Sequence, residues 1–116
     1  MRISRTNQDM SVKKWEEIIR RIEAGDYPQW MGAIGLEFGW EDLKINVRNN
    51  CGYCLELFPN CGDCILKDFC NGPKSPLYKM ESETEGNDNP RWKLVLRWSN
   101  QILDAIKANE KNVYDD

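Results

Sequence analysis

Residues 51–70 read CGYCLELFPNCGDCILKDFC and hold all five cysteines of a 116-residue chain that has no histidine. The spacing is C-x2-C-x6-C-x2-C-x5-C: two knuckles of the form Cys-Gly-x-Cys (Cys51-Gly52-Tyr53-Cys54 and Cys61-Gly62-Asp63-Cys64), then Cys70. A C-x2-C turn brings two sulfurs to one point, and its glycine lets backbone amides turn toward them and temper their charge. Two such turns supply the four soft ligands that tetrahedral zinc requires. The expected metal ligands are therefore Cys51, Cys54, Cys61 and Cys64, with Cys70 as an alternate fourth ligand or a leftover thiol. The interval between the knuckles is too short for the hairpin of a zinc ribbon. Leu55-Glu56-Leu57-Phe58 is expected to form at most one helical turn, with Pro59-Asn60 as the reversal.

Four-cysteine ligation equally suits an iron–sulfur cluster, where irregular spacing and a further cysteine are familiar. The two metals part at Cys70. With zinc on the knuckles, Cys70 is a buried thiol or a redox handle; in a [4Fe-4S] cluster it displaces one knuckle sulfur. Each Cys-Gly-x-Cys also looks like the dithiol of a thiol-disulfide oxidoreductase. Context speaks against that chemistry, because such dithiols sit between a strand and a helix in a βαβ-rich fold, and no βαβ alternation is visible. Other catalytic machinery is thin: there is no histidine for base chemistry, no GxxxxGK[ST] loop and no GxSxG elbow. Gly32-Ala33-Ile34-Gly35 is not a dinucleotide fingerprint, and Glu37, Glu41 and Asp42 read as solvated surface. All-thiolate zinc sites are normally closed to water, so an enzyme is not expected.

The cysteines also bear on location. Residues 1–10 (MRISRTNQDM) lack the apolar core of a secretory signal, and no stretch has the apolar length to cross a bilayer. A cytoplasmic, reducing location is expected, in which C-x2-C cysteines are ligands rather than disulfides. The net charge is −3, residues 1–25 carry six basic and four acidic side chains, and residues 91–116 carry five and four. That excess is too slight for a phosphate-binding face, so the expected partner is a protein rather than nucleic acid.

Outward from the cysteines, the chain reads as a single domain over 1–116. Its core is modest for its length, so a metal staple is useful. The five tryptophans, Trp15, Trp30, Trp40, Trp92 and Trp98, offset the short chain with large apolar area. Val12, Trp15, Ile18, Ile19 and Ile22 recur at intervals of three and four, which predicts an amphipathic helix over 11–24 with Ser11 as N-cap and Gly25 as stop. Residues 26–50 read as an irregular aromatic segment: Gly32, Gly35 and Gly39 interrupt any helix, and short strands are expected near 33–38 and 43–47. Its cluster of Tyr27, Trp30, Phe38 and Trp40 is expected to pack across the metal loop. Gly72-Pro73-Lys74-Ser75-Pro76 signals a turn, and residues 80–89 read as an acidic linker. A last helix is predicted over 90–109, with Pro90 in its first turn and a broad stripe of Trp92, Val95, Leu96, Ile102, Leu103 and Ile106. Beyond Glu110 the tail is expected to fray.

Taken together, these elements resemble a group of small uncharacterised cysteine-cluster proteins of bacterial, archaeal and phage genomes. The shared pattern is C-x2-C, a short interval, C-x2-C-P, a further interval, a fifth cysteine and a Thr/Ser-Pro-Tyr-like element, between a helix containing Lys-Trp-Glu and a last helix. Here the matching elements are Lys14-Trp15-Glu16, the five cysteines, Ser75-Pro76-Leu77-Tyr78 and the 90–109 helix. Two departures stand out: Ile65 replaces the family's proline, and Leu77 separates Pro76 from Tyr78. The resemblance implies a metal-binding fold, with a phage or mobile-element origin, and assigns no reaction.

The expected architecture is mostly α, or small α+β, with two amphipathic helices packed over a cysteine-ligated metal loop. The expected function is that of a metal-stabilised protein-interaction module with a four-cysteine zinc site. The alternative is an iron–sulfur protein with a redox or electron-transfer role.

Overall fold

A computed structural model describes residues 1–28, 39–45, 51–57 and 61–116, with Cys61 described through its backbone. The first helix starts well before its apolar stripe. It spans α1, Arg5–Glu23, and its N-cap is Ser4, whose Oγ accepts the Asn7 N–H at 3.1 Å. Ser11, the cap expected from the stripe, lies inside the helix, where its hydroxyl donates to the Asn7 carbonyl at 2.9 Å. The stripe itself is buried as the periodicity predicts, through Trp15, Ile18, Ile19 and Ile22. The helix ends where expected. Gly25 adopts φ +81°, and the N–H groups of Gly25 and Asp26 return to the carbonyls of Ile22 and Arg21 at 3.0 and 2.9 Å. This is the pairing a left-handed glycine cap allows.

A second short helix, α2, Gly52–Leu57, and a one-turn helix, α3, Lys67–Cys70, lie within the cysteine window. They are followed by α4, Pro76–Thr84, and α5, Trp92–Ala108. α1 packs against α5, α4 covers another side of α5, and α2 sits on α1. The apolar centre combines Ile18 and Ile22 of α1 with Val95, Ile102 and Ile106 of α5. At about 1.5–3 kcal/mol for each fully buried aliphatic side chain, this seam is the main source of cohesion.

The mostly helical class therefore holds, with a two-stranded addition. Ile3–Ser4 (β1) pairs in parallel with Val113–Tyr114 (β2). The tail beyond Glu110 is thus tied down rather than frayed, and Asn109 reinforces it by donating to the Met1 carbonyl at 3.0 Å. Strands of two residues bury too little to leave a periodic signal.

The acidic stretch is a second correction. Residues 80–84 belong to α4 rather than to a linker, and Met80 and Thr84 have no exposed surface. Ser75 caps α4 by accepting the Tyr78 N–H at 3.2 Å, and Pro76 occupies the first turn, where its missing N–H costs nothing. Ser99 Oγ lies 3.3 Å from the Met80 sulfur, so a small residue on α5 receives the large one on α4. The turn into α5 is closed by Glu83, which takes the Arg91 guanidinium at 2.7 Å and the Arg91 N–H at 2.9 Å.

Of the irregular aromatic segment, residues 29–38 and 46–50 lie outside the described residues, and with them Trp30, Phe38 and the expected strand at 33–38. Over 39–45 there is a tight turn with a single bridge between Gly39 and Lys44 rather than a developed strand. Arg21 of α1 holds this turn by gripping both Asp42 oxygens at 2.9 and 2.8 Å, while its guanidinium lies over the buried Trp40 ring. Tyr27 stacks on Trp92 with ring centroids 4.4 Å apart, so it reinforces the start of α5. No described helix is long and apolar enough to cross a membrane.

If α4 is part of the core, Met80→Ala should cost about 2–5 kcal/mol in chemical denaturation. A loss below about 1 kcal/mol, the range of surface substitutions, would place this stretch outside the core.

Candidate metal centre

The first knuckle is fixed by the surface it rests on. Gly52 opens α2 directly against the backbone of α1, and a Cβ at this position would come within 2.5 Å of the Asn7 carbonyl carbon and 2.6 Å of its Cα. Only glycine fits. The Gly52 N–H donates to Ser11 Oγ at 2.9 Å, so Ser11 serves α2 rather than the start of its own helix. Next to it, Tyr53 is fully buried and its hydroxyl donates to Gln8 Oε1 at 2.6 Å. Asn109 Nδ2 donates back to the Tyr53 oxygen at 3.1 Å, and Gln8 Nε2 donates to the Ile106 carbonyl at 2.9 Å. The middle residues of Cys-Gly-Tyr-Cys thus join α1 and α5 through a buried polar network in which each group has a partner.

Glu56, one turn further along α2, binds the start of α1. Its Oε1 accepts the Ser4 N–H at 2.9 Å, Asn7 Nδ2 at 3.1 Å and the Tyr114 hydroxyl at 3.4 Å. The Ser4 backbone bond, followed by the Asn7 amide, holds this carboxyl below the usual carboxylate range. A single side chain therefore connects the cysteine loop, the start of α1 and β2.

The Cys51 sulfur lies just before α2, and the Cys54 side chain, one turn on, is the group that acts on it most strongly. The backbone N–H groups of Cys54 and Tyr53 add a smaller push in the same direction, favouring the Cys51 thiolate. The bond from Cys54, above all, pushes the Cys51 thiol well below its ordinary range despite burial. The retained proton and burial push Cys54 the other way. The pair is thus set to lose one proton readily and the second with difficulty.

The second half of the window is built differently. Residues Cys61–Asp63 form a single 3-10 turn, with Gly62 and Asp63 exposed where Gly52 and Tyr53 are buried. A Cβ at Gly62 would meet nothing within 4 Å. Order returns at Leu66, which is 2% exposed and anchors the segment in the core. Its N–H donates to the Cys64 sulfur at 3.4 Å, and its carbonyl accepts the N–H groups of Phe69 and Cys70, both at 2.9 Å. Cys64 and Cys70 are half-buried against the same core that holds Cys51 and Cys54.

Cys51, Cys54, Cys64 and Cys70 form no disulfide. They share one electrostatic neighbourhood, since the charges of Cys51, Cys70 and Cys64 all act on Cys54. Among the described residues, no group of three or more Cys, Asp or Glu side chains is assembled as a metal site. The described sulfurs are therefore packed and partly hydrogen-bonded, a cysteine-ligated metal loop is not seen among the described residues, and the Cys61 side chain lies outside them.

Lys14 is a feature that the periodicity missed. It is only 5% exposed, on the α1 face that carries Asn7 and Ser11 toward α2. Burial pulls its pKa down while the charges of Cys51, Cys54 and Cys70 push it up. Ammonium groups are rarely buried without negative neighbours, and here those neighbours include sulfurs. The signal was in the sequence, because Lys14 precedes Ile18 by four residues and so shares its buried side. A groove of about 490 Å³ along α1 reaches Lys14 from the side of Lys13, Glu17 and Asp42.

Comparison with protein-family models, with curated proteins and with solved structures found no match to this chain. The chemistry of the site must be read from its own residues.

The two glycines at equivalent places in the knuckles should behave differently. Gly52→Ala should destabilise by about 2 kcal/mol or more, through overpacking against α1, while Gly62→Ala should stay within about 0.5 kcal/mol of the parent. Equal thermal melts for the two variants would mean that α2 does not rest on α1 as described.

Proposed function

We propose that this chain is a small protein-interaction module whose cysteine loop binds zinc through thiolates, the metal serving to hold α2 and α3 against the helical core. The observation that carries the reading is the treatment of the sulfurs. The Cys64 sulfur receives the Leu66 N–H at 3.4 Å, and the Cys54 side chain, above all, favours the thiolate of Cys51. Such bonds favour thiolates, the form in which cysteine ligates soft metals. Buried Lys14 places a cation beside the same group. The resemblance to the cysteine-cluster proteins points the same way, toward a metal-binding fold without an assigned reaction.

Leu55 supports the interaction half of the proposal. It is 64% exposed on the helix that carries Cys51 and Cys54 at its start. Metal at those sulfurs would stiffen the helix and present Leu55 to a protein partner at lower entropic cost. When bound, zinc would supply charge neutralisation and a fixed tetrahedral anchor; all-thiolate sites of this kind are structural.

Metal removal tests this reading. A site formed only in the folded chain and saturated at about a thousand times its Kd contributes about 4 kcal/mol, which for a domain of this size corresponds to roughly 10–20 °C in Tm. Treatment with a strong chelator under reducing conditions should release zinc and lower Tm by that amount, and zinc alone should restore it. An unchanged melt after complete metal removal would rule out a stapling role.

A further inference from the structure

We propose that Asn71 is a site of spontaneous chemical modification, at which the backbone nitrogen of Gly72 attacks the side-chain amide and converts the residue, through a succinimide, to isoaspartate and aspartate. The inference does not depend on a metal in the cysteine loop.

Asn71-Gly72 is the sole Asn-Gly pair in the sequence. The reaction needs a side-chain amide that is not held, a following N–H that is not held, and a next residue small enough for a ring to close. Asn71 ends α3 by donating its own N–H to the Lys67 carbonyl at 2.9 Å, and from there both Asn71 and Gly72 are exposed. Among the described residues, the Asn71 side chain, the Asn71 carbonyl and the Gly72 N–H make no hydrogen bond. The peptide group between the two residues is therefore left to water at both ends.

That peptide group is also free to turn. Gly72 adopts φ +91°, and a Cβ there would meet nothing within 4 Å. Asn71 is extended, with ψ 146°. A counter-rotation of Asn71 ψ and Gly72 φ swings this peptide plane toward the Asn71 side chain, and glycine tolerates the φ values it passes through. The chain beyond stays in place, because the Gly72 carbonyl is held by the Ser75 N–H at 3.1 Å and the Ser75 hydroxyl at 2.8 Å.

The other described asparagines lack these freedoms. Asn7 and Asn100 lie within α1 and α5, with their amides donated to Glu56 and to the Leu96 carbonyl at 3.1 and 2.9 Å. Asn87 donates to the Glu83 carbonyl at 2.8 Å, and Asn112 donates to Asn109 at 2.7 Å. Asn89 precedes Pro90, whose nitrogen carries no hydrogen.

In the reaction the Gly72 nitrogen loses its proton and bonds to Asn71 Cγ, and the amide nitrogen leaves as ammonia. Water then opens the succinimide. Attack at Cγ gives aspartate, and attack at the backbone carbonyl gives isoaspartate, in which the main chain is longer by a methylene. The net change is water for ammonia, with no oxidant or reductant. Either product places a new carboxylate directly after Cys70.

The full chain, kept reduced, would be incubated at physiological temperature in mildly alkaline buffer, and in parallel in urea, then digested at acidic pH and mapped by mass spectrometry. Labelling by an isoaspartyl methyltransferase with a radioactive methyl donor counts the isoaspartate. Among the described asparagines, Asn71 should be the first to change from amide to acid, with isoaspartate in excess. Its rate in the native protein should lie within about tenfold of the rate in urea, as for a segment that opens at almost no cost. Asn71→Gln should lose the label from this peptide, since the longer side chain closes its ring poorly. Conversion of another described asparagine ahead of Asn71, or an Asn71 rate slower than in urea by more than about tenfold, would overturn the proposal. A label retained on this peptide in Asn71→Gln would overturn it as well.

Discussion

The structure depends on a contact that has no side chain in it. Gly52 brings the backbone of α2 against the backbone of α1 at Asn7, so closely that a single methyl group would overlap it. From this contact follow the bond from the Gly52 N–H to Ser11 and the entry of the Tyr53 ring between α1 and α5. The position of the Cys51–Cys54 sulfurs follows as well. In a chain of this size the core alone gives a modest margin, so a loop that must hold a fixed shape needs such an anchor. The glycine of the first knuckle is therefore a packing residue as much as a turn residue.

Charge is distributed to match. Ammonium groups and thiolates are both costly to bury alone, and each lowers the cost of the other when they lie side by side. Lys14 is 5% exposed on the face of α1 that meets the sulfurs, with charges from Cys51, Cys54 and Cys70 acting on it. A divalent metal among four thiolates leaves a net negative site, for which a buried cation is a fitting neighbour.

Much of the helical frame was legible in the sequence. The stripe from Trp15 to Ile22 and the one from Val95 to Ile106 are the α1–α5 seam, and the Gly25 stop holds because a left-handed cap favours glycine. The first turns of α1 were hidden because their buried residues are polar: Gln8 and Ser11 face inward to bind Tyr53 and Gly52, and polar residues break an apolar pattern. α4 was hidden for the opposite reason. Its acidic residues read as linker, although Ser75-Pro76 already carried the cap and first-turn signal of a helix. The paired strands Ile3–Ser4 and Val113–Tyr114 join residues from the two ends of the chain, and local patterns do not encode such pairings. At the cysteines, spacing identified the sulfurs as a group but treated Gly52 and Gly62 as equals. Only their surroundings, packed backbone against open space, tell the knuckles apart.

Elemental analysis combined with a visible spectrum, on protein purified without oxygen, tests the metal cradle most directly. About one zinc per chain and a colourless solution are expected for a closed thiolate site. Iron and sulfide with visible absorption that bleaches on reduction would contradict zinc and make residues 51–70 a cluster-binding loop. Protein that is fully folded and carries no metal would contradict the cradle altogether.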